Sequence, residues 1–261
     1  MWSLITGAGS GIGRALALEL AETGQDLILA GRTKAKLVQV ANEIEANWPA
    51  RKALIQPVDL ADPNSTRDLA NRVCRSVDRL QSFVYCAGTG EPAADFATMD
   101  LMDFQEALAV NVSAPMLLCQ SLLPVLQQRS TSSRVVLVGA GIDQYPQPGT
   151  GSYGISKMAM RRLVQQMSVD FEAMQEGPVV SLFQPGLVDT PGIRRHIDQA
   201  MALSLPHAGW LQERLNDRDC LTAEQAASAL VYALDKMPAS EFDGAVLHGA
   251  DLVDVLSFGG S

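Results

Sequence analysis

The stretch Thr6-Gly7-Ala8-Gly9-Ser10-Gly11-Ile12-Gly13 constrains the fold more than any other part of the chain. Trp2-Ser3-Leu4-Ile5 before it is apolar and reads as a strand, and Arg14 to Ala21 after it has the apolar spacing of a helix. Strand, glycine turn and helix in that order aim free backbone N–H groups at an anion. Glycine allows positive φ and lets a ligand approach the backbone closely. The loop does not follow G-x-G-x-x-G, because Ile12 or Arg14 falls where the last glycine belongs. It follows T-G-x-x-x-G-x-G through Thr6, Gly7, Gly11 and Gly13. A phosphate cradle is one reading, and a glycine-rich turn without a ligand is the other. A loop so near the N-terminus also puts the first strand at the centre of its sheet.

Beyond the loop, apolar strands alternate with helical stretches. Strands are expected at Asp26 to Ala30, Ala53 to Val58, Leu80 to Tyr85, Arg134 to Val138, Val179 to Phe183 and Ala245 to His248. Pro57 marks the third strand as an edge. Helices are expected at 34–46, 64–75, 102–128, 152–174 and from Thr222 to Leu234, where Thr222-Ala223-Glu224-Gln225 is a capping box. Pro115 and Pro124 are expected to bend or end the 102–128 helix locally. This alternation predicts an α/β chain: one Rossmann-like, doubly wound parallel sheet of about seven strands with helices on both faces. Ligand is expected at the C-terminal ends of the strands.

Composition narrows the partners. A net charge of −9 opposes nucleic acid and anionic membrane surfaces. No apolar run reads as a membrane span and no leader with a cleavage site is apparent, so a cytoplasmic protein is expected. Cys74, Cys86, Cys119 and Cys220 are scattered and read as free thiols. Three histidines without ligand spacing give no metal site. Apolar residues on 102–128 and 152–174, among them Met116, Leu117, Leu118, Leu122, Leu123, Met158, Met160, Leu163, Val164 and Met167, exceed what one sheet face needs. The surplus predicts a homodimer or homotetramer.

Several motifs occur in order: the glycine loop, Asp59-Leu60, Ala87-Gly88, Asn111, Tyr153-x-x-x-Lys157, and Pro185-Gly186 followed by Thr190. Together they resemble the short-chain dehydrogenase/reductase family over nearly the whole chain. Phe183 to Thr190 and the ending after Leu221 look most like the sepiapterin and benzil reductase branch. The resemblance implies a small carbonyl or alcohol substrate and a nicotinamide dinucleotide. It implies that Gly7, Ser10, Gly11, Ile12, Gly13, Arg32, Asp59, Leu60, Ala87, Gly88, Pro185, Gly186, Val188 and Thr190 meet the cofactor, Asp59 at the adenine and Thr190 at the carboxamide. It gives Tyr153 the role of proton donor, Lys157 that of its partner and ribose ligand, and Asn111 that of kinking its helix and holding a water.

The residues add their own chemistry. Tyr153 and Lys157 share a helix face one turn apart, and an ammonium beside a phenol should lower the phenol's pKa. At the end of the second strand, Gly31 stands where NAD-using enzymes carry an acid, and Arg32 follows. An arginine can grip a 2′-phosphate, so NADP(H) is expected, although Ser10 lacks the basic side chain found there in many NADP-using relatives. The segment 191–219 resembles the family's substrate lid, and its Met201, Leu203, Leu205, Trp210 and Leu211 suggest an apolar carbonyl or simply a lid packed on the core.

Two departures stand out. The family's catalytic serine lies 13 residues before the tyrosine, and here that residue is Ala140. Ser152 nearby reads as the cap of the tyrosine helix. Tyr85-Cys86 replaces the usual asparagines, and Cys86 reads as a packed thiol. Two functions therefore stay open: an NADP(H)-dependent carbonyl reductase, and a dinucleotide-binding sensor or regulator without catalysis.

Overall fold

The computed structural model describes residues 1–90, 92–127, 133–174 and 176–258. Its elements run β1 (Trp2–Thr6), α1 (Gly11–Glu22), β2 (Asp26–Gly31), α2 (Lys34–Asn47), β3 (Ala53–Pro57), α3 (Pro63–Ser76), β4 (Leu80–Tyr85), α4 (Leu101–Leu108), a π-helical turn (Ala109–Ser113), α5 (Ala114–Leu126) and β5 (Arg134–Val138). A 3-10 turn (Gly141–Asp143), α6 (Gly151–Glu172), β6 (Val179–Gln184), α7 (Pro191–Ala202), α8 (His207–Asn216), α9 (Ala223–Asp235), α10 (Ala239–Phe242), β7 (Val246–His248) and α11 (Gly249–Phe258) follow. The strands form one sheet in the order β3-β2-β1-β4-β5-β6-β7, and every neighbouring pair is parallel. β1 is central and β3 is an edge, as the glycine loop and Pro57 imply.

Successive strand residues point to opposite faces, and both faces are buried. Leu4, Ile28, Phe83 and Leu137 enter one core with residues of α3, α5 and α6. Their neighbours Ile5, Leu29, Val84 and Val136 enter the other with residues of α1, α2 and α9. Strands covered by helices on both sides carry continuous apolar runs rather than alternation, which is why they are legible in the sequence. Thr222 and Gln225 form the reciprocal capping box at the start of α9.

The sequence reading of a single 102–128 helix needs correction; Gln128 lies outside the described residues. The run Leu101–Leu126 stays helical but widens into a π turn at its middle. The Ala114 N–H reaches back five residues to the Ala109 carbonyl. The next donor in that register belongs to Pro115, which has no N–H. The Val110 carbonyl left without it accepts a hydrogen bond from the buried Tyr85 hydroxyl. Pro115 thus places the widening rather than ending the helix, and Pro124 lies within α5.

Three further expectations change. Leu101–Leu126 is long and apolar enough to match a membrane span by length and composition, contrary to the reading that none exists. Its Val110, Ala114, Leu118, Leu122, Val125 and Leu126 are buried in the core, and that burial accounts for its apolarity. Of the apolar surplus on the two long helices, Leu118, Leu122, Met160, Val164 and Met167 are also core. The exposed apolar residues there are Leu101, Met102, Ile155, Met158 and Val169. Ser152 does not cap α6: Thr150 occupies the cap position, and Ser152 is buried inside the first turn.

Candidate active site

The glycine loop is held by close packing. Gly7 has φ +68°, and a Cβ there would sit 2.9 Å from the Ala87 nitrogen. A Cβ on Gly13 would sit 2.5 Å from the Gly7 carbonyl oxygen. Either added methyl would force the loop open. The Ala87 N–H donates to Thr6 Oγ1 at 3.3 Å, tying the loop to the end of β4. From the far side, the Thr190 methyl packs at 3.2 Å from where a Gly11 Cβ would stand. The loop after β6, carrying Pro185, Gly186 and Thr190, therefore meets the glycine loop. Thr190 Oγ1 caps α7 by accepting from the Ile193 N–H.

Two surface clefts lie beyond the C-terminal ends of the strands β1 to β3. One is lined by Gly9, Ser10, Gly11, Arg14, Lys36, Gln39, Asp189, Pro191, Ala223 and Glu224. The other is lined by Arg32, Pro57, Val58, Asp59 and Ser65. Arg32 and Asp59 thus share one cleft. Asp59 Oδ1 accepts from the Ala61 N–H. Leu60 and Val188 are core residues, and Ile12 packs half-buried against the core. Lys36 and Arg14 were missed in the sequence. Lys36 reaches the glycine loop only because α2 packs beside it, its Cβ lying 3.0 Å from the position of a Gly9 Cβ. Arg14 is paired with Glu43 of α2 at 2.6 Å.

At the C-terminal ends of β4 and β5 the structure brings Tyr153, Lys157 and Asn111 together around the 87–90 segment. Lys157 is buried, its Nζ donating to the Val138 carbonyl at 2.8 Å and lying 5.6 Å from the centre of the Tyr153 ring. A Cβ on Gly88 would stand 3.3 Å from both Lys157 Nζ and Asn111 Oδ1. A Cβ on Gly90 would stand 2.4 Å from the Tyr153 ring. Only a bare backbone fits over the tyrosine at Gly90. Asn111, at the centre of the π turn, clamps that segment. Its Nδ2 donates to the Thr89 carbonyl and to Ser156 Oγ, and its Oδ1 accepts from the Thr89 N–H.

Electrostatics correct one expectation. Burial pushes the Tyr153 phenol up to about 12, rather than Lys157 drawing it down. Burial also lowers the Lys157 ammonium to about 8. Desolvation penalises the charged form of each group. The Cys86 thiol, also pushed up to about 12 by burial, stays neutral and packed as the sequence suggests. All four cysteines are free.

Ala140 stands at the end of β5 with extended backbone and begins the 3-10 turn. It offers no hydroxyl. Behind it lies a buried cluster that sequence reading did not assemble. Asp143 accepts from Arg161 Nε at 2.7 Å and from Gln184 Nε2 at 2.9 Å to each carboxylate oxygen.

Over the site, α7 and α8 pack on the loop after β4. Ala93, Ala200, Leu205 and Ala208 form a small core, and the Ala94 N–H donates to the Gly149 carbonyl. His196 of α7 and His207 of α8, which the sequence gave no reason to pair, meet with Nε2 atoms 3.1 Å apart. Their ring centres are 5.3 Å apart, so the rings point nitrogen to nitrogen rather than lying face on face. Leu205 and Leu211 are buried within this helix pair, whereas Met201, Leu203 and Trp210 are exposed. Among the described residues, no three potential metal ligands converge.

Comparison with known proteins places this geometry. The family model for short chain dehydrogenase matches residues 2–200. Sulfoacetaldehyde reductase 2 of Chromohalobacter salexigens is 28% identical over 234 residues, covering 88% of this chain and 86% of that protein. A short chain dehydrogenase from Burkholderia cenocepacia, solved in complex with NADP, superposes with a TM-score of 0.79 at 26% identity, covering 94% of each chain. Levodione reductase shares the fold with a TM-score of 0.84 at 20% identity, covering 96% of this chain and 97% of that one. With its glycine loop, seven-stranded parallel sheet and Tyr-x-x-x-Lys helix, this chain belongs to the short-chain dehydrogenase family of oxidoreductases.

Proposed function

We propose that the protein is an NADP(H)-dependent reductase of a small carbonyl compound. The observation that carries this reading is the buried Tyr153–Lys157 pair at the end of the same sheet edge that presents the glycine loop. The residues fit a dinucleotide: the cradle at Gly7, Gly11 and Gly13 has no room for side chains, and Arg32 and Asp59 share one cleft beside it. NADPH, when bound, supplies the hydride that adds to the carbonyl carbon. Tyr153, protonated throughout the neutral range, gives its proton to the carbonyl oxygen. Lys157, cationic below about pH 8, stabilises the phenolate left behind and binds the ribose. Asn111 holds the Thr89–Gly90 backbone over the tyrosine ring. The segment 191–219 covers the substrate. A survey of aldehydes, diketones, quinones and pteridines with NADPH, followed by absorbance, tests the reading; cofactor binding without turnover on any of them supports the sensor that Ala140 suggests.

Arg32 is exposed at the end of β2 and suits a 2′-phosphate, with Lys36 as a second cation on the neighbouring cleft. Arg32→Ala should cut the preference for NADPH over NADH by roughly tenfold, the lower end of a charge-assisted hydrogen bond because water screens the group. Titration calorimetry with both cofactors checks this, and equal wild-type affinities would refute the assignment.

Assembly is the second expectation. Leu101, Met102, Ile155, Met158 and Val169 remain exposed on α4 and α6, and they suit a helix-face interface between two copies. Light scattering at micromolar concentration should return a dimer or tetramer mass; a monomer mass removes this part of the proposal.

A further inference from the structure

The helix pair α7–α8 is fastened at both ends. At its base, the Asp189 N–H donates to the Leu221 carbonyl and the Leu221 N–H to the Leu187 carbonyl. This short parallel bridge closes 191–219 into a loop. At its tip, Leu205 seats against the bare backbone at Gly149, where a Cβ would overlap its side chain. Gly149 lies just before α6, the helix that carries Tyr153. Gln199 Oε1 of α7 accepts from the Ala93 N–H at 3.4 Å. The apolar contact in the pair is small, one cluster of four buried residues and another of three. A polar contact between the two helices therefore carries weight, and His196 and His207 supply one.

The surroundings decide where the protons of these rings lie. A neutral imidazole has one N–H, and an N···N contact of 3.1 Å needs one donor and one acceptor. His207 is buried, and its Nδ1 meets no hydrogen-bond partner among the described residues. A proton there would be a buried N–H without an acceptor. His207 therefore carries its proton on Nε2 and donates to His196 Nε2, which leaves the His196 proton on Nδ1. The ring planes differ by 18°, so the two rings meet end to end.

We infer that this pair is an acid-sensitive latch on the lid: one shared proton holds α7 to α8 near neutrality, and protonation of both rings drives the helices apart. A further proton on either ring forces an N–H onto His207 Nδ1, where nothing accepts it. The next one opposes two N–H groups and two like charges across 3.1 Å. Separated rings take up protons at the ordinary histidine value of about 6.5. The open form thus binds more protons than the closed one. The closed form is therefore fully favoured above that pH and loses about tenfold per pH unit, for each proton gained, below it. Burial acts in the same direction by lowering the His207 pKa. Of the charged residues described around the pair, Arg194 and Arg214 are bonded to Asp189 and Asp219. Asp95, Arg195, Asp198, Glu213, Asp217 and Arg218 are exposed, where water and salt screen them. The loop 144–150 beneath Leu205 carries no charged residue.

Only the consequence for substrate rests on 191–219 covering the site; the test of the latch needs neither cofactor nor substrate. Nitrogen-15 spectra of the histidine rings in the full chain read the protons directly. At pH 7.5 His207 should be the Nε2–H tautomer and His196 the Nδ1–H tautomer. Amide hydrogen exchange, corrected for its intrinsic pH dependence and read by mass spectrometry, follows the helices. Peptides from 196–211 should lose at least about tenfold in protection between pH 7 and pH 5, while α9 keeps its own. The double variant His196→Gln, His207→Gln keeps a donor facing an acceptor and cannot charge, so its protection should be the same at both pH values. A proton on His207 Nδ1 at pH 7.5, unchanged wild-type protection at pH 5, or an equal loss in the double variant overturns the latch. So does a parallel loss in α9, which means general unfolding. If the double variant does not fold, the wild-type tautomers and exchange decide alone. With turnover established, KM for the carbonyl should rise toward pH 5 in wild type and stay level in the double variant. A level wild-type KM beside an acid loss of protection removes the covering role of 191–219 and leaves the latch standing.

Discussion

Tyr153→Phe should reduce carbonyl turnover by at least about 10³-fold, within the range for removing a positioned general acid, while NADPH affinity changes less than about twofold. The two effects separate because of where the hydroxyl sits. The ring is held from one side by the bare backbone at Gly90 and lies 5.6 Å from Lys157 Nζ, and phenylalanine preserves that packing. What disappears is the proposed proton donor, a phenol that is protonated throughout the neutral range. Stopped-flow absorbance of NADPH oxidation with fluorescence titration of binding measures both quantities. Retained turnover in the phenylalanine variant would remove Tyr153 from the mechanism and leave the fold assignment untouched.

Ala140→Ser should raise turnover about tenfold or more on any substrate the wild type accepts, with cofactor affinity unchanged. A hydroxyl aimed at developing negative charge stabilises the transition state more than the ground state, and removing one such donor from other enzymes costs on the order of 10²–10³ in rate. The gain is expected at the low end because the present turn is not empty of interactions. It is already fastened through Asp143 to Arg161 and Gln184. A serine variant that is folded, binds NADPH and turns over more slowly than wild type would mean another group already fills the role. In the Tyr153→Phe background the added serine should restore nothing.

Much of the sheet was legible because burial on both faces writes itself as apolar runs such as Leu27-Ile28-Leu29-Ala30 and Val135-Val136-Leu137-Val138. The capping box at Thr222 was legible because its two bonds lie within four residues. Features built from distant parts of the chain were not. Asp143, Arg161 and Gln184 lie on three different elements, and none carries a local signature. His196 and His207 are brought nitrogen to nitrogen only by the turn between α7 and α8. Lys36 reaches the glycine loop by the packing of α2. The sign of the Tyr153 shift was misread for a related reason. Spacing along a helix reveals that a phenol and an ammonium are neighbours, but not how deeply both are withdrawn from water.

A helical widening of the kind found at Ala109–Ser113 can in principle slide along a helix, since each residue passed only exchanges one backbone bond for the next. Here it is pinned. Pro115 cannot donate in either register, and the Tyr85 hydroxyl already occupies the Val110 carbonyl. Moving the widening by one residue would strand that hydroxyl inside the core, where burial already raises its pKa and an unpaired polar group is costly. Tyr85 and Pro115 therefore fix the same carbonyl, one by bonding it and the other by failing to. Tyr85→Phe alone leaves an orphaned carbonyl, and an ordinary residue at 115 would free the widening to wander, and with it the amide of Asn111 that sets the height of the backbone over Tyr153.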